Sequence, residues 1–131
     1  RYAKSLVKVG SGAGRDVLVG MPIELVAEIN PYSSDADPRF RLYHDGVPMP
    51  DFEVQIWNYP PAADNAAAAT GTTKAVESRL RTDATGRVTI PRGEGGEFLV
   101  NAVQMIEPDA AQKVQGVHWV SIWATTTYFV E

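Results

Sequence analysis

The chain contains no cysteine and only two histidines among its 131 residues. The absence of thiols excludes a cysteine nucleophile, a thiolate metal site and a disulfide framework. No apolar run approaches the ~20 residues of a membrane-spanning helix, so we expect no direct membrane insertion. Basic clusters are missing as well, and the net charge is −4. This charge balance argues against nucleic acid as a partner.

The length fits a single domain over 1–131, with enough chain to bury a core without a metal or a disulfide. The sequence opens on a strand-like segment, "RYAKSLVKV", without an initiator Met or a signal-peptide pattern. We therefore expect the chain to be cut from a longer exported precursor, with the targeting signal in the part that is missing here.

The stretch "LRTDATGRVTIP" is the clearest local signal. Residues 76–81 and 87–90 alternate between side chains for two faces, with Val76 on the inner face. Asp83 can accept hydrogen bonds from nearby amides, and Gly86 can supply the positive φ that closes the turn. The pattern predicts a β-hairpin with a structural role rather than a site.

Further alternating or apolar segments predict strands along the rest of the chain. They cover 4–9, 23–29, 39–42, 53–57, 98–106 and 118–130, the last two being apolar enough for central strands. A long hairpin loop with at most one helical turn is predicted over 63–74, because its four alanines form no apolar stripe. A second long loop is predicted over 107–117. The sequence therefore predicts an all-β fold, an antiparallel, Ig-like β-sandwich of about seven strands.

Four segments carry a family resemblance: "VGMPIELVAEINPY", "RFRLYHDGVPMPDFEV", "LRTDATGRVTIP" and "WVSIWATTTYFVE". They resemble the C-terminal part of the DUF4198 family, and their order resembles prealbumin-like sandwich modules. The resemblance implies a prealbumin-like fold, a periplasmic or otherwise exported location, and a role in nickel or cobalt uptake. It also suggests two partners, a membrane transporter and the histidine-bearing N-terminal portion that family members usually carry and this chain lacks.

The two histidines are candidate metal ligands. His44 stands beside Asp45, and His118 begins the last strand segment. A nickel or cobalt ion would need these side chains to converge, because tight transition-metal sites use three or four ligands. The alternative is that each histidine simply ends a strand and is hydrogen-bonded or solvated.

Aromatic residues form a second candidate site. Trp57 and Tyr59 lie on the outward side of one strand and could stack on a glycan or contact an apolar patch of a protein. Trp119 and Trp123 share a face of the last strand, and we expect them either in the inter-sheet core or packed against the missing N-terminal portion. A solvent-facing Trp57 beside a groove would favour a binding surface, and convergence of the two histidines would favour a metal site.

Outward-facing arginines predict surface ion pairs rather than an anion site. The residues concerned are Arg39, Arg41, Arg79, Arg81 and Arg87. If the strands that carry them pair, these arginines form one basic stripe interleaved with Glu53 and Glu77.

Catalytic signals are sparse. No G-x-S-x-G nucleophile motif is present, and "GSGAG" precedes no predicted helix that could hold a phosphate. A hydrolase is therefore a third hypothesis. We predict a non-catalytic exported binding or accessory module, either in metal uptake or as a structural or adhesion-type module that binds a glycan or protein.

Overall fold

Two packed β-sheets and one short helix make up the described chain. The computed structural model describes residues 1–32, 36–61 and 74–131. In order, the elements are β1 (Tyr2–Ser5), β2 (Ile23–Ile29), β3 (Arg39–His44), β4 (Val47–Pro48), β5 (Glu53–Tyr59), β6 (Val76–Arg81), β7 (Arg87–Thr89), β8 (Gly96–Ile106), α1 (Ala110–Val114) and β9 (Val120–Val130). The predicted all-β sandwich is confirmed, with nine strands in these residues instead of about seven.

The sheets differ in size. The larger has the order β1-β9-β8-β5-β6, and the smaller contains β2, β3 and β4, with β7 also paired to β3. Neighbouring strands are antiparallel except for β1 and β9, which run parallel. The described part of the chain has no helix that is long and apolar enough to cross a membrane.

The core lies between the two sheets. Every second residue of the long strands points inward, because side chains alternate in direction along a strand. Tyr128 stacks on Phe98 at 5.0 Å between ring centroids and on Phe40 at 5.5 Å, so one aromatic stack links the two sheets. The other large core residues are Ile23, Leu25, Leu42, Val54, Ile56, Val88, Ile90, Val100 and Val130.

The predicted hairpin is a tight turn that connects the two sheets. Asp83 Oδ1 accepts from Thr85 N at 2.7 Å and Arg87 N at 3.0 Å, and Gly86 has a φ of +80°, as expected. The flanking strands nevertheless do not pair with each other: β6 pairs with β5, and β7 pairs with β3. The hairpin prediction is therefore wrong in its pairing, because the turn sends the chain across the sandwich.

Strand β6 is an edge strand, which changes one further expectation. Leu80 packs against the core, but Val76 is 60% exposed instead of buried. The alternating pattern gave the side-chain direction correctly, but it carries no information about whether the opposite sheet reaches that position.

Two segments differ from their predicted class. The strand predicted over 4–9 is Tyr2–Ser5 instead, and Val7 and Val9 are exposed. Part of the predicted loop 107–117 is the helix α1, whose N-cap Asp109 exchanges hydrogen bonds with Gln112 in a capping box. The predicted loop at 63–74 lies almost entirely outside the described residues.

Candidate functional site

The turn after β3 holds two of the predicted metal ligands. His44 ends β3, and Asp45 follows with a positive φ of 47°. His44 Nε2 lies 3.6 Å from Asp45 Oδ2, with the imidazole 33% and the carboxylate 74% exposed. A dissolved cation could therefore reach both groups.

His118 belongs to a different part of the fold, in the exposed segment between α1 and β9. Within 1–32, 36–61 and 74–131, no three histidine, aspartate or glutamate side chains form a group that could hold a metal ion. The structure thus brings His44 and Asp45 together without adding His118. The metal site remains a prediction.

A different feature appears where β1 and β9 separate, just beyond Ser5. Leu6 N donates to Thr127 O at 2.9 Å, and in a regular parallel ladder Phe129 N would donate to Leu6 O. The Tyr32 hydroxyl replaces that bond, accepting from Phe129 N at 3.0 Å and donating to Leu6 O at 2.8 Å. The phenol satisfies both backbone groups while it holds the segments apart.

A cleft of about 920 Å³ opens at this separation. Its size is in the range of pockets that hold small organic ligands. The lining residues that the structure describes are Leu6, Val7, Lys8, Pro31, Tyr32, Tyr59, Arg92, Glu97, Phe98, Leu99, Thr127, Tyr128, Phe129 and Glu131.

Two exposed aromatic rings belong to this cleft. Tyr59 is 42% exposed and Phe129 is 47% exposed. In the sheet register Glu97 pairs with both residues, so the three side chains form one row on the outer face. The backbone of Gly96 approaches the Tyr59 carbonyl so closely that any Cβ there would collide with it, and its φ is +102°. Glycine at 96 therefore helps to position Tyr59.

Charged side chains of both signs complete the lining. Lys8 Nζ lies 3.5 Å from Glu131 Oε2, and both groups are exposed. The Arg92 guanidinium donates to the carbonyls of Pro31 at 3.2 Å and Ala36 at 3.4 Å. The cleft thus offers hydrogen-bond donors and acceptors beside its aromatic surface.

Behind the cleft, the Tyr128 hydroxyl is buried and has no hydrogen-bond partner among the described residues. Burial raises the pKa of this phenol, while the nearby Arg92 opposes the rise. The hydroxyl therefore stays protonated at any physiological pH.

The tryptophans are distributed differently from the expectation. Trp57 is half-buried on the outer face and pairs in register with Leu99, which lines the cleft. Trp119 is 61% exposed, and Trp123 lies on the outer face under the Arg1 guanidinium, 4.2 Å from the ring centroid. The expected place in the inter-sheet core is therefore wrong for both residues. Trp119 lies in the exposed segment before β9, and Trp123 is at an odd-numbered position of β9, which points away from the core. Packing of these rings against an N-terminal portion stays a prediction.

The arginines make the predicted ion pairs, but in two groups rather than one stripe. On the larger sheet, Arg79 pairs with Glu53 at 3.5 Å and with Glu77 at 3.3 Å. On the smaller sheet, three guanidinium groups surround Glu28, at 3.3 Å for Arg39, 3.7 Å for Arg41 and 2.6 Å for Arg87. The single stripe is wrong because the strands involved belong to different sheets.

The fold is an all-β sandwich with a cleft at the neighbouring ends of β5, β8 and β9 in its larger sheet. The family model described as Domain of unknown function (DUF4198) matches residues 1–123, and the chain belongs to this family. No curated protein and no solved structure matches the chain. The prealbumin-like assignment remains a prediction.

Proposed function

We propose that this domain is a non-catalytic binding module and that its binding site is the cleft formed by the segment after β1 and the neighbouring ends of β5, β8 and β9. The observation that carries the proposal is a concave site of about 920 Å³ that includes the exposed rings of Tyr59 and Phe129. Ligand sites are typically concave, with aromatic walls and a few polar groups that fix orientation. Exposed aromatic clusters on soluble proteins commonly mark such sites.

A glycan is the ligand class that suits this lining best. The C–H face of a sugar ring can pack on an aromatic face, and its hydroxyls need both donors and acceptors. The cleft supplies donors through the cationic residues Lys8 and Arg92, and acceptors through the carboxylates of Glu97 and Glu131. The two positive and two negative charges in the lining cancel, which favours a ligand without net charge.

A glycan array followed by calorimetry tests the proposal. The labelled domain is applied to neutral oligosaccharides, and each glycan retained is titrated into the wild type, Tyr59→Ala and Met105→Ala. Met105 is 56% exposed on the outer face of β8 but does not line the cleft, so it is a matched control. We expect Tyr59→Ala to weaken binding about tenfold or more and Met105→Ala to leave it unchanged. Retention of no glycan, or equal affinities in all three proteins, would contradict the proposal.

Transition-metal capture is the second candidate, in nickel or cobalt uptake in the periplasm with a membrane transporter as partner. The observation that favours it is the contact of 3.6 Å between His44 and Asp45 at an exposed turn. Two ligands give weak binding, since tight sites use three or four. His118, or ligands from another polypeptide, would have to complete the site.

Calorimetric titration with Ni²⁺, Co²⁺, Zn²⁺ and Cu²⁺ tests this second function, beside a His44→Ala/His118→Ala double variant. Stoichiometric binding that the double variant loses would support a metal site in the sandwich. Heats equal to those of buffer would exclude the domain as an independent metal binder.

A further inference from the structure

Among the residues that the structure describes, strand β6 has one open edge. This strand (Val76–Arg81) is the last of the larger sheet, and within the described residues no strand pairs with its outer edge. All of its residues except Leu80 are exposed, including the apolar Val76 at 60%. Exposed edges of this kind are templates for pairing with another strand, unless their charges oppose it.

The backbone groups that face the open edge follow from the bonds just after β6. Thr82 N donates to Phe52 O at 3.0 Å, and Thr82 O accepts from Asp51 N at 3.1 Å, so residue 82 faces β5. Backbone groups alternate in direction along an antiparallel strand. Residues 76, 78 and 80 therefore also face β5, while Glu77, Arg79 and Arg81 direct their N–H and C=O groups to the open edge.

We propose that β6 pairs antiparallel with β6 of a second copy of this chain, with Glu77 opposite Arg79 of the other copy. In an antiparallel pair, residues whose backbone groups face the shared edge lie opposite each other. This register meets the requirement because Glu77 and Arg79 both face the open edge, and the two-fold symmetry repeats the Glu77–Arg79 pair. It also sets Val76 opposite Leu80 on the inner face, which covers the exposed valine. Ser78 then faces Ser78 at the two-fold axis.

Charge selects this register over its neighbours. A shift of two residues in one direction sets Arg79 opposite Arg79, so its two Glu77–Arg81 pairs are offset by one repulsive pair, and the same shift in the other direction sets Glu77 opposite Glu77. Like charges directly opposite each other destabilise a strand pair, whereas opposite charges stabilise it. Charged side chains usually prevent an edge strand from pairing, but here the charges of one copy attract those of the other. The pairing would join two five-stranded sheets into one continuous sheet.

Sedimentation equilibrium of the full chain, over a range of protein concentrations, tests the pairing. We expect a concentration-dependent rise from the monomer mass of 14.2 kDa to twice that value. Arg79→Glu should lower the association constant about tenfold or more, because both symmetry-related pairs become repulsive. The double variant Glu77→Arg/Arg79→Glu restores opposite charges and should recover dimerisation.

A crosslinking experiment keeps the test independent of the charge variants. Ser78 would lie in a non-hydrogen-bonded pair across the two-fold axis, a spacing that a disulfide can bridge. The chain has no cysteine, so Ser78→Cys should form a covalent dimer on mild oxidation, faster than the exposed-loop control Ser11→Cys. A wild type that remains monomeric at every concentration would overturn the proposal. So would equal association of the Arg79→Glu and double variants, or equal crosslinking of the two cysteine variants.

Discussion

Lys4 Nζ lies 2.9 Å from Glu24 Oε1, and this ion pair joins the edge strand of one sheet to the edge strand of the other. Both groups are almost inaccessible, with side-chain exposures of 12% for Lys4 and 0% for Glu24. Asp16 also contacts Lys4 at 3.0 Å and accepts a hydrogen bond from Ala27 N. The network holds the segment before β2 against the sandwich.

Lys4→Met should therefore destabilise the fold by about 2–4 kcal/mol, since it leaves a buried carboxylate without its cation. The backbone amides of Val19, Gly20 and Met21 still donate to Glu24 and limit the loss. Urea unfolding of both proteins measures the difference. Lys8→Met is the matched control, because its pair with Glu131 is exposed and should cost less than about 0.5 kcal/mol. Equal losses would contradict a structural role of the buried network.

The same network predicts acid sensitivity. Burial alone would raise the pKa of Glu24, but the hydrogen bonds from Lys4 and the amides of Val19 and Met21 outweigh it, and the pKa lies below its ordinary value of 4.5. A depressed folded pKa contributes stability that is fully present above the unfolded pKa and is lost as pH falls through the folded one. Stability should therefore decline below about pH 4.5.

Urea unfolding from pH 3 to pH 7 measures this decline. The variant Glu24→Gln cannot titrate at this position, so its stability should be lower at neutral pH and should fall less steeply in acid. Parallel curves for the two proteins would show that Glu24 does not contribute to the pH dependence.

Gly86→Ala tests the turn that connects the two sheets. An added Cβ would lie 3.0 Å from Met49 N and 3.2 Å from Leu42 O, at a φ of +80°. Gly46→Ala has a similar φ of +76° and open space around it, so it reports the backbone strain alone, about 1 kcal/mol. We expect Gly86→Ala to cost at least about 1 kcal/mol more than this control in urea unfolding. Equal costs would mean that the close approach is easily relieved.

Tyr32→Phe and Tyr128→Phe compare a half-buried phenol with a buried one. The Tyr32 hydroxyl bonds to Leu6 O and Phe129 N, so its removal should cost about 1–3 kcal/mol. The Tyr128 hydroxyl has no partner among the described residues, and its removal keeps the ring stacks. Tyr128→Phe should be neutral or slightly stabilising in thermal unfolding. A large loss for Tyr128→Phe would show that its hydroxyl is hydrogen-bonded in solution.

The sequence predicted the fold class well because period-two alternation directly reflects which face of a strand is buried. The segments 98–106 and 118–130 contain the central strands β8 and β9, as their composition indicated, although β9 begins only at Val120. Pairing was harder to predict: the turn at Asp83 and Gly86 looks the same locally whether the chain returns along its own sheet or crosses to the other. The helix α1 was missed, although Asp109 and Gln112 have the spacing of a capping box.

The cleft could not be predicted, because it depends on contacts between distant parts of the chain. Tyr32 comes within reach of Leu6 and Phe129 only in the folded sandwich. Tyr59 was identified because its outward direction follows from strand parity. Phe129 has the same parity, but its place in the cleft depends on its pairing through Glu97.

An NMR titration of the ¹⁵N-labelled domain with neutral oligosaccharides such as cellohexaose, chitohexaose and maltohexaose tests directly whether the cleft binds glycans. We expect saturable amide shifts concentrated at Leu6, Tyr32, Tyr59, Leu99 and Phe129 for at least one of them, and their loss in Tyr59→Ala. Spectra that do not change with any neutral glycan, or shifts confined to residues outside the cleft, would contradict this expectation.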